Sequence, residues 1–532
     1  MKRINRTILA LVVLQLLPGW FAAAVFGFGN SHSDTSKTIR RIQIVRKDVF
    51  VPIPGKPEFL YRWANNLHAV TRETVIRRDL LFKEGDKYDS ELLVESERRL
   101  RRLPYLGSAN VTLVNRSKDS VDVRVVTQDQ WSTLVSYIFT KNPGRTIFGG
   151  SLEEFNFLGR GKRLFTEVRH EVGEGTRFTF RHIDPQLLGS RWTTRETLIR
   201  GPFLKNISAQ VVRPFYALDT KWAWGTSASV NNETIRLFSE SLETSRVKLQ
   251  SQRLTLFAAR AYGSRFRKKR LQLSYTFRNR NFSTLGERTT SPVPNDERIH
   301  SLTLGLTRES ILFKKETRLD KFQRVEDLTL GRITSLSFGR TGLPVPSGVR
   351  RFEVAFRHRE AHEILSEQYV FAVVSFRSLF EKDTITSLRL QYYNKRLWRQ
   401  TLAVNMAFDY GRDLEATRQF LLGGDSGLRG FPSRQFSGNK RFLMNMEDRF
   451  FSDVNFLTVA LGGVVFMDAG NVWPAGQAID FSELNYSIGA GFRLGYTKSP
   501  DSRVGRIDFA WALNGGGFAV SIGVDQVFSI NQ

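Results

Sequence analysis

The sequence predicts a small α+β module followed by a large transmembrane antiparallel β-barrel of about sixteen strands. Three observations predict it. Residues 1–30 read as an export signal, residues 38–128 mix helical and strand periodicities, and residues 131–532 alternate apolar with polar side chains at period two.

Composition sets the outer bounds. The chain has 532 residues, 41% hydrophobic and 25% charged, which excludes both a disordered tail and a helical membrane bundle. Beyond residue 30, no apolar run is long enough to cross a bilayer as a helix. The formal net charge is +27, from 79 basic and 52 acidic residues. The basic residues are spread along nearly every segment, and no zinc-finger, RNA-recognition or helix-turn-helix pattern gathers them, which argues against nucleic acid as a partner. An arginine-lined lumen and anionic lipid headgroups are better sinks for such charge. The absence of cysteine suits export to an oxidising compartment.

Lys2, Arg3 and Arg6 precede the apolar run Ile8 to Leu17, then come Pro18-Gly19 and Ala22-Ala23-Ala24. A positive start, a short apolar core and a small-residue cleavage site describe a secretory signal peptide. From Thr38, Ile39, Ile42, Ile44 and Val45 predict a first strand. Pro52 to Leu67 is a long connection. Thr71 is placed to cap a helix carrying Val75, Ile76 and Leu80, and Gly85-Asp86 breaks it. Asp89 or Ser90 can cap a second helix with Leu92, Leu93, Leu100 and Leu103 on one face, stopped by Pro104. Val111 to Val114 and the alternating Val121, Val123 and Val125 predict two further strands, so the order is β-α-α-β-β.

In residues 131–532 the alternation is clear. Leu271, Leu273, Tyr275 and Phe277 are interleaved with polar residues, as are Leu302, Leu304 and Leu306, then Phe352, Val354 and Phe356, then Leu388, Leu390 and Tyr392. A soluble sandwich shows the same pattern locally. Length and export decide for a membrane barrel, with apolar residues toward lipid and charges toward the lumen. A lipid-facing arginine at mid-depth would cost roughly 2–4 kcal/mol. At roughly 25 residues per strand plus connection, the segment holds about sixteen strands. Forty-two phenylalanines furnish the lipid face and its interfacial girdles.

One stretch departs from this texture: Gly423-Gly424-Asp425-Ser426-Gly427-Leu428-Arg429-Gly430-Phe431. Glycines free the backbone, and an arginine held between them can be aimed at one buried carboxylate. Gly424 to Gly427 also looks like a protease nucleophile region, but no histidine stands in a partner context and Leu428 fills the last glycine place of an elbow. His358 and His362 fall in an alternating strand with the wrong glutamate spacing for a zinc protease.

Taken together, these segments resemble the BamA/TamA superfamily of outer-membrane insertases and secretion pores. Val75 to Asp86 and the β-α-α-β-β order resemble a POTRA domain, placed at 38–128. Leu428-Arg429-Gly430-Phe431 resembles the tip of the family's inward-folded loop. Phe466-Met467-Asp468-Ala469-Gly470 resembles its strand motif, and Met446 to Phe450 the preceding strand with an inward Glu447. Gly149 to Gly161 resembles an early hairpin, and Gly489 to Arg493 a later strand. The resemblance implies that Arg429 pairs with Asp468, with Glu447 close by, locking the loop inside the barrel. It implies a last strand from Phe518 to Phe528, with Phe528 as a terminal assembly signal, and a weakly paired seam between first and last strands. Gly515-Gly516-Gly517 and Gly523 would weaken that seam.

The implied function is assembly and insertion of outer-membrane β-barrel proteins by strand pairing, without nucleotide hydrolysis. No catalytic residue, metal or cofactor is expected. The expected location is the bacterial outer membrane, with the POTRA-like domain in the periplasm. Expected partners are outer-membrane lipids, unfolded β-barrel clients, and periplasmic chaperones or accessory lipoproteins. The alternatives are a two-partner-secretion pore for polypeptides and a passive porin.

Overall fold

The computed structural model describes residues 37–532, apart from 51–58, 60–64, 66–67, 143–144, 285–291, 323–324, 346–349, 381, 398, 457–458, 497–503, 525 and 531–532. The expected signal peptide and most of Pro52–Leu67 lie outside the described residues.

The N-terminal module contains β1 (Thr38–Lys47), α1 (Glu73–Asp79), α2 (Ser90–Arg102), β2 (Leu106–Arg116) and β3 (Ser120–Asp129). The sheet order is β1-β3-β2, with β1 parallel to β3. Val121, Val123 and Val125 share one face of β3 and close a core with Ile39, Ile42, Ile76, Leu93 and Leu100. Asp89 caps α2 by accepting from the Glu91 amide at 2.8 Å. The expected Thr71 cap is not made; Arg72 takes the N-cap position of α1 without a side-chain bond. Thr71 is drawn away because its amide and hydroxyl both donate to Asp129, at 2.7 and 2.8 Å. The same Thr71 hydroxyl accepts from Asn156 Nδ2 of the barrel at 2.9 Å, which ties the module to the wall.

Strands β4 (Thr133–Asn142) to β25 (Phe518–Val524) build a closed antiparallel barrel of twenty strands, with the short ribbon β19 (Phe420–Leu422) and β20 (Phe436–Gly438) set apart. The expectation of about sixteen allowed too much chain for connections. Several hairpins turn in two or three residues, such as Glu240-Ser241 between β10 (Trp222–Ser239) and β11 (Leu242–Gly263). Leu271, Leu273, Leu304, Leu306 and Phe338 are 40 to 53% exposed on the outer surface. Ionic side chains of the barrel strands meet inside, as Arg270 with Glu309 at 2.7 Å and Arg389 with Asp409 at 2.9 Å. This is the inversion that a lipid environment demands.

One mouth of the barrel is met by the module. Helix α2 carries Arg98, stacked 3.7 Å from the Phe313 ring, and Arg101, 3.2 Å from Asp327. Arg265, on the turn after β11, reaches Glu91 of α2 and Asp219 of the neighbouring turn, both at 2.6 Å. The turn after β5 (Arg145–Phe157) completes the joint, with the Arg72 amide donating to Gly159 at 2.9 Å. Arg265→Ala is expected to loosen this dock, seen as faster amide exchange across Ser90–Arg102. High salt is expected to do part of the same, because several of the partners are half exposed. Unchanged exchange in the variant would show that the dock does not depend on this residue.

The chain end departs from expectation. The last strand stops at Val524, and Gln526–Ile530 turn into the lumen rather than continuing along the wall. Phe528 is 4% exposed among Leu319, Leu328, Tyr369, Phe371, Tyr393 and Ala403. It is therefore not a lipid-facing residue of a terminal strand. The physical cause is an apolar patch on the luminal wall that water would otherwise wet.

Candidate functional site

The connection between β18 (Gln400–Arg412) and β21 (Lys440–Phe456) folds back into the lumen and carries the Arg429 tip. Leu428 and Phe431 are buried against Leu443 and Val472, anchoring the tip on the wall. Gly430 is there because the loop lies directly on the barrel: a Cβ would sit 2.6 Å from the Ala512 nitrogen. Gly470, on β22 (Val459–Trp473), serves the same approach, since a Cβ there would meet Leu422 and the Phe442 carbonyl at 2.8 Å.

Arg429 is 4% exposed. Its Nε and Nη2 donate to the two oxygens of Asp468 at 2.8 and 2.7 Å, and its Nη1 donates to Glu447 at 2.8 Å. The Arg429 amide also donates to Asp468, at 3.2 Å. Phe466 lies under the guanidinium, 3.4 Å from ring centre to Cζ. A planar five-donor cation thus meets a fork, a second carboxylate and an aromatic face at once. Asn445 Nδ2 donates to both Asp468 and the Gly427 carbonyl, at 2.7 and 2.8 Å, joining loop to wall a second time.

The ion pairs continue beyond the residues predicted from sequence. Glu447 accepts from Arg449 Nε at 2.9 Å. Arg449 in turn donates to Asp320 at 3.0 Å and to the Phe528 carbonyl at 2.9 Å. Asp320 accepts from the Ile530 amide at 2.8 Å. Arg493 and Arg506 both hold Asp508, each at 2.6 Å. One buried chain of charges therefore links the inward loop, the wall, the connection after β13 (Glu297–Glu316) and the C-terminal tail. Arg449 could have been found from sequence, because it shares the inward side of the strand with Glu447. Asp320 could not, since its segment carries no periodicity.

The decoy motifs go elsewhere. Ser426 is bound to the Gly423 backbone within its own turn. His358 bonds Thr334 at 2.8 Å, and His362 bonds Glu360 at 2.8 Å.

The seam lies beside this loop. β25 pairs with β4 over only three described residues, Val520–Ile522 opposite Phe139–Lys141, whereas β4 pairs with β5 along its whole length. Because the tail leaves the wall, Thr133–Ile138 are not paired on the β25 side among the described residues.

A family model described as POTRA, surface antigen variable number repeat, matches residues 65–128. No curated protein matches the chain. Among solved structures, BamA from Haemophilus ducreyi lacking POTRA domains 1-3 is 12% identical, with a TM-score of 0.41 over 92% of this chain and 84% of that one. CdiB from Acinetobacter baumannii is 11% identical, with a TM-score of 0.44 over 92% and 74%. CdiB from Escherichia coli is 13% identical, with a TM-score of 0.45 over 92% and 76%. The chain is a closed antiparallel β-barrel of twenty strands preceded by a small α+β domain, and that domain matches the POTRA family over residues 65–128.

Proposed function

We propose that this protein assembles and inserts other β-barrel proteins into the outer membrane, with its POTRA domain in the periplasm. The observation that carries the reading is the three-residue seam. An unpaired strand edge is a template for another strand, and backbone pairing tolerates any client sequence. Thr133–Ile138 offer such an edge, and on it Val135 and Tyr137 expose 57% and 77% of their surface. A client hairpin that pairs there leaves water and enters lipid in one movement. Backbone pairing and apolar burial supply the driving force, so no nucleotide hydrolysis is required. Clients are unfolded β-barrel polypeptides, delivered by periplasmic chaperones or accessory lipoproteins. The tucked loop, held by Arg429, keeps the wall beside the seam in shape.

A disulfide across the seam tests this directly. Phe139→Cys with Ile522→Cys joins two residues that face each other, and the natural chain has no other cysteine to interfere. The oxidised variant is expected to lose insertion of a model barrel into liposomes, with activity restored by reductant. Insertion that continues at the same rate when locked would sink the reading. If host depletion removed one secreted polypeptide and spared other barrels, the assignment would move to a secretion pore. A change in solute permeability alone would move it to a porin.

A further inference from the structure

The luminal wall is divided electrostatically. Where the loop and tail pack, every arginine just described has a carboxylate within 3.0 Å. Elsewhere around the lumen some arginines go unpaired. Arg181 on β7 (Gly175–Asp184), Arg195 on β8 (Thr193–Arg200), Arg253 on β11 and Arg357 on β15 (Phe352–Leu365) have no ion pair among the described residues. Glu233, on β10 beside β11, likewise has no ion pair among the described residues. An unpaired guanidinium in a wet lumen costs little, but it leaves a positive field in a low-dielectric cylinder, where field lines are focused.

Around Arg357 the neighbours are small hydroxyls. Ser335 on β14 (Glu326–Thr341) and Ser375 on β16 (Gln368–Leu379) flank it in register, and Thr307 shares a hydrogen bond of 3.1 Å with Ser335. Together with Arg377 they line a cavity of about 540 Å³. Short hydroxyl side chains leave room and can donate. A guanidinium fork matches two oxygens of one anion.

We propose that this face of the lumen is an oxyanion site, centred on Arg357, that takes phosphate- or sulfonate-type groups. It stands apart from the seam and does not depend on what the seam inserts.

The absence of cysteine makes the test clean. Ser375→Cys places a single thiol beside Arg357 in the full chain. In detergent, its reaction rates with a sulfonate-bearing and a trimethylammonium-bearing methanethiosulfonate are compared with those of the unfolded chain. The folded protein is expected to favour the sulfonate reagent by about tenfold. Inorganic phosphate should slow the reaction more than chloride of equal ionic strength. Adding Arg357→Gln should abolish both effects, and Arg357→Lys should keep the charge preference. Equal rates, a preference for the cationic reagent, no reaction with either, or phosphate acting no differently from chloride would each overturn the proposal.

Discussion

Arg429→Ala is expected to release the inward loop and destabilise the barrel by about 3–5 kcal/mol, the usual cost of stranding a buried partner. Asp468 and Glu447 are fully buried and would each lose their closest guanidinium contact. Asp468 would keep Asn445 and Ser487 as donors, and Glu447 would keep Arg449. Those remaining bonds place the loss toward the lower end of the range. Arg429→Lys should recover part of the effect, because a point charge survives while the fork does not. The measurement is protease cleavage within residues 413–439, alongside urea unfolding in bilayers. Wild-type protection and an unchanged midpoint in the alanine variant would remove the loop-lock role from Arg429.

Phe528→Ala is expected to free the C-terminal tail from the lumen. Ordering the backbone of Gln526–Ile530 costs about 5–10 kcal/mol. The Phe528 ring, set beside Tyr393 at 6.5 Å between centroids and capped by Arg449 at 4.8 Å, offsets a large share of that cost. Truncating a buried phenylalanine typically forfeits about 3–5 kcal/mol. Carboxypeptidase trimming or amide exchange at residues 526–530 reads the result, and the barrel itself should still assemble. Were Phe528 instead a terminal assembly signal, the variant would fail to accumulate in the outer membrane while any protein that did fold kept a protected tail.

The legible parts of this molecule are those set by near neighbours in the chain. Leu271 to Phe277 shows that the strand has one apolar and one polar side, because side chains alternate at period two wherever the strand lies. Gly427 and Gly430 around Arg429 announced a tight approach by an arginine. The POTRA order followed from helix stops at Gly85 and Pro104. Thr71 was misread because Asp129, fifty-eight residues away, outbids the helix end for its hydroxyl. Phe528 was misread for a related reason. Phe518, Val520, Ile522, Val524 and Phe528 keep one parity, so the chain reads as a single strand. The apolar luminal patch that captures the ring is assembled from distant strands and has no signature in any one of them.

What the sequence determined alone is therefore the alternation, the turn glycines, the Asp89 cap and the charged side of each strand. All of these are consequences of backbone geometry over a few residues. What only the tertiary structure decided is the number of strands, the short seam, the inward course of the last residues and the ion pairs that run beyond Asp468 and Glu447 to Asp320. Closure of a barrel brings together residues from β13 to β25, and which side chains then meet depends on register and circumference, quantities that no local pattern encodes.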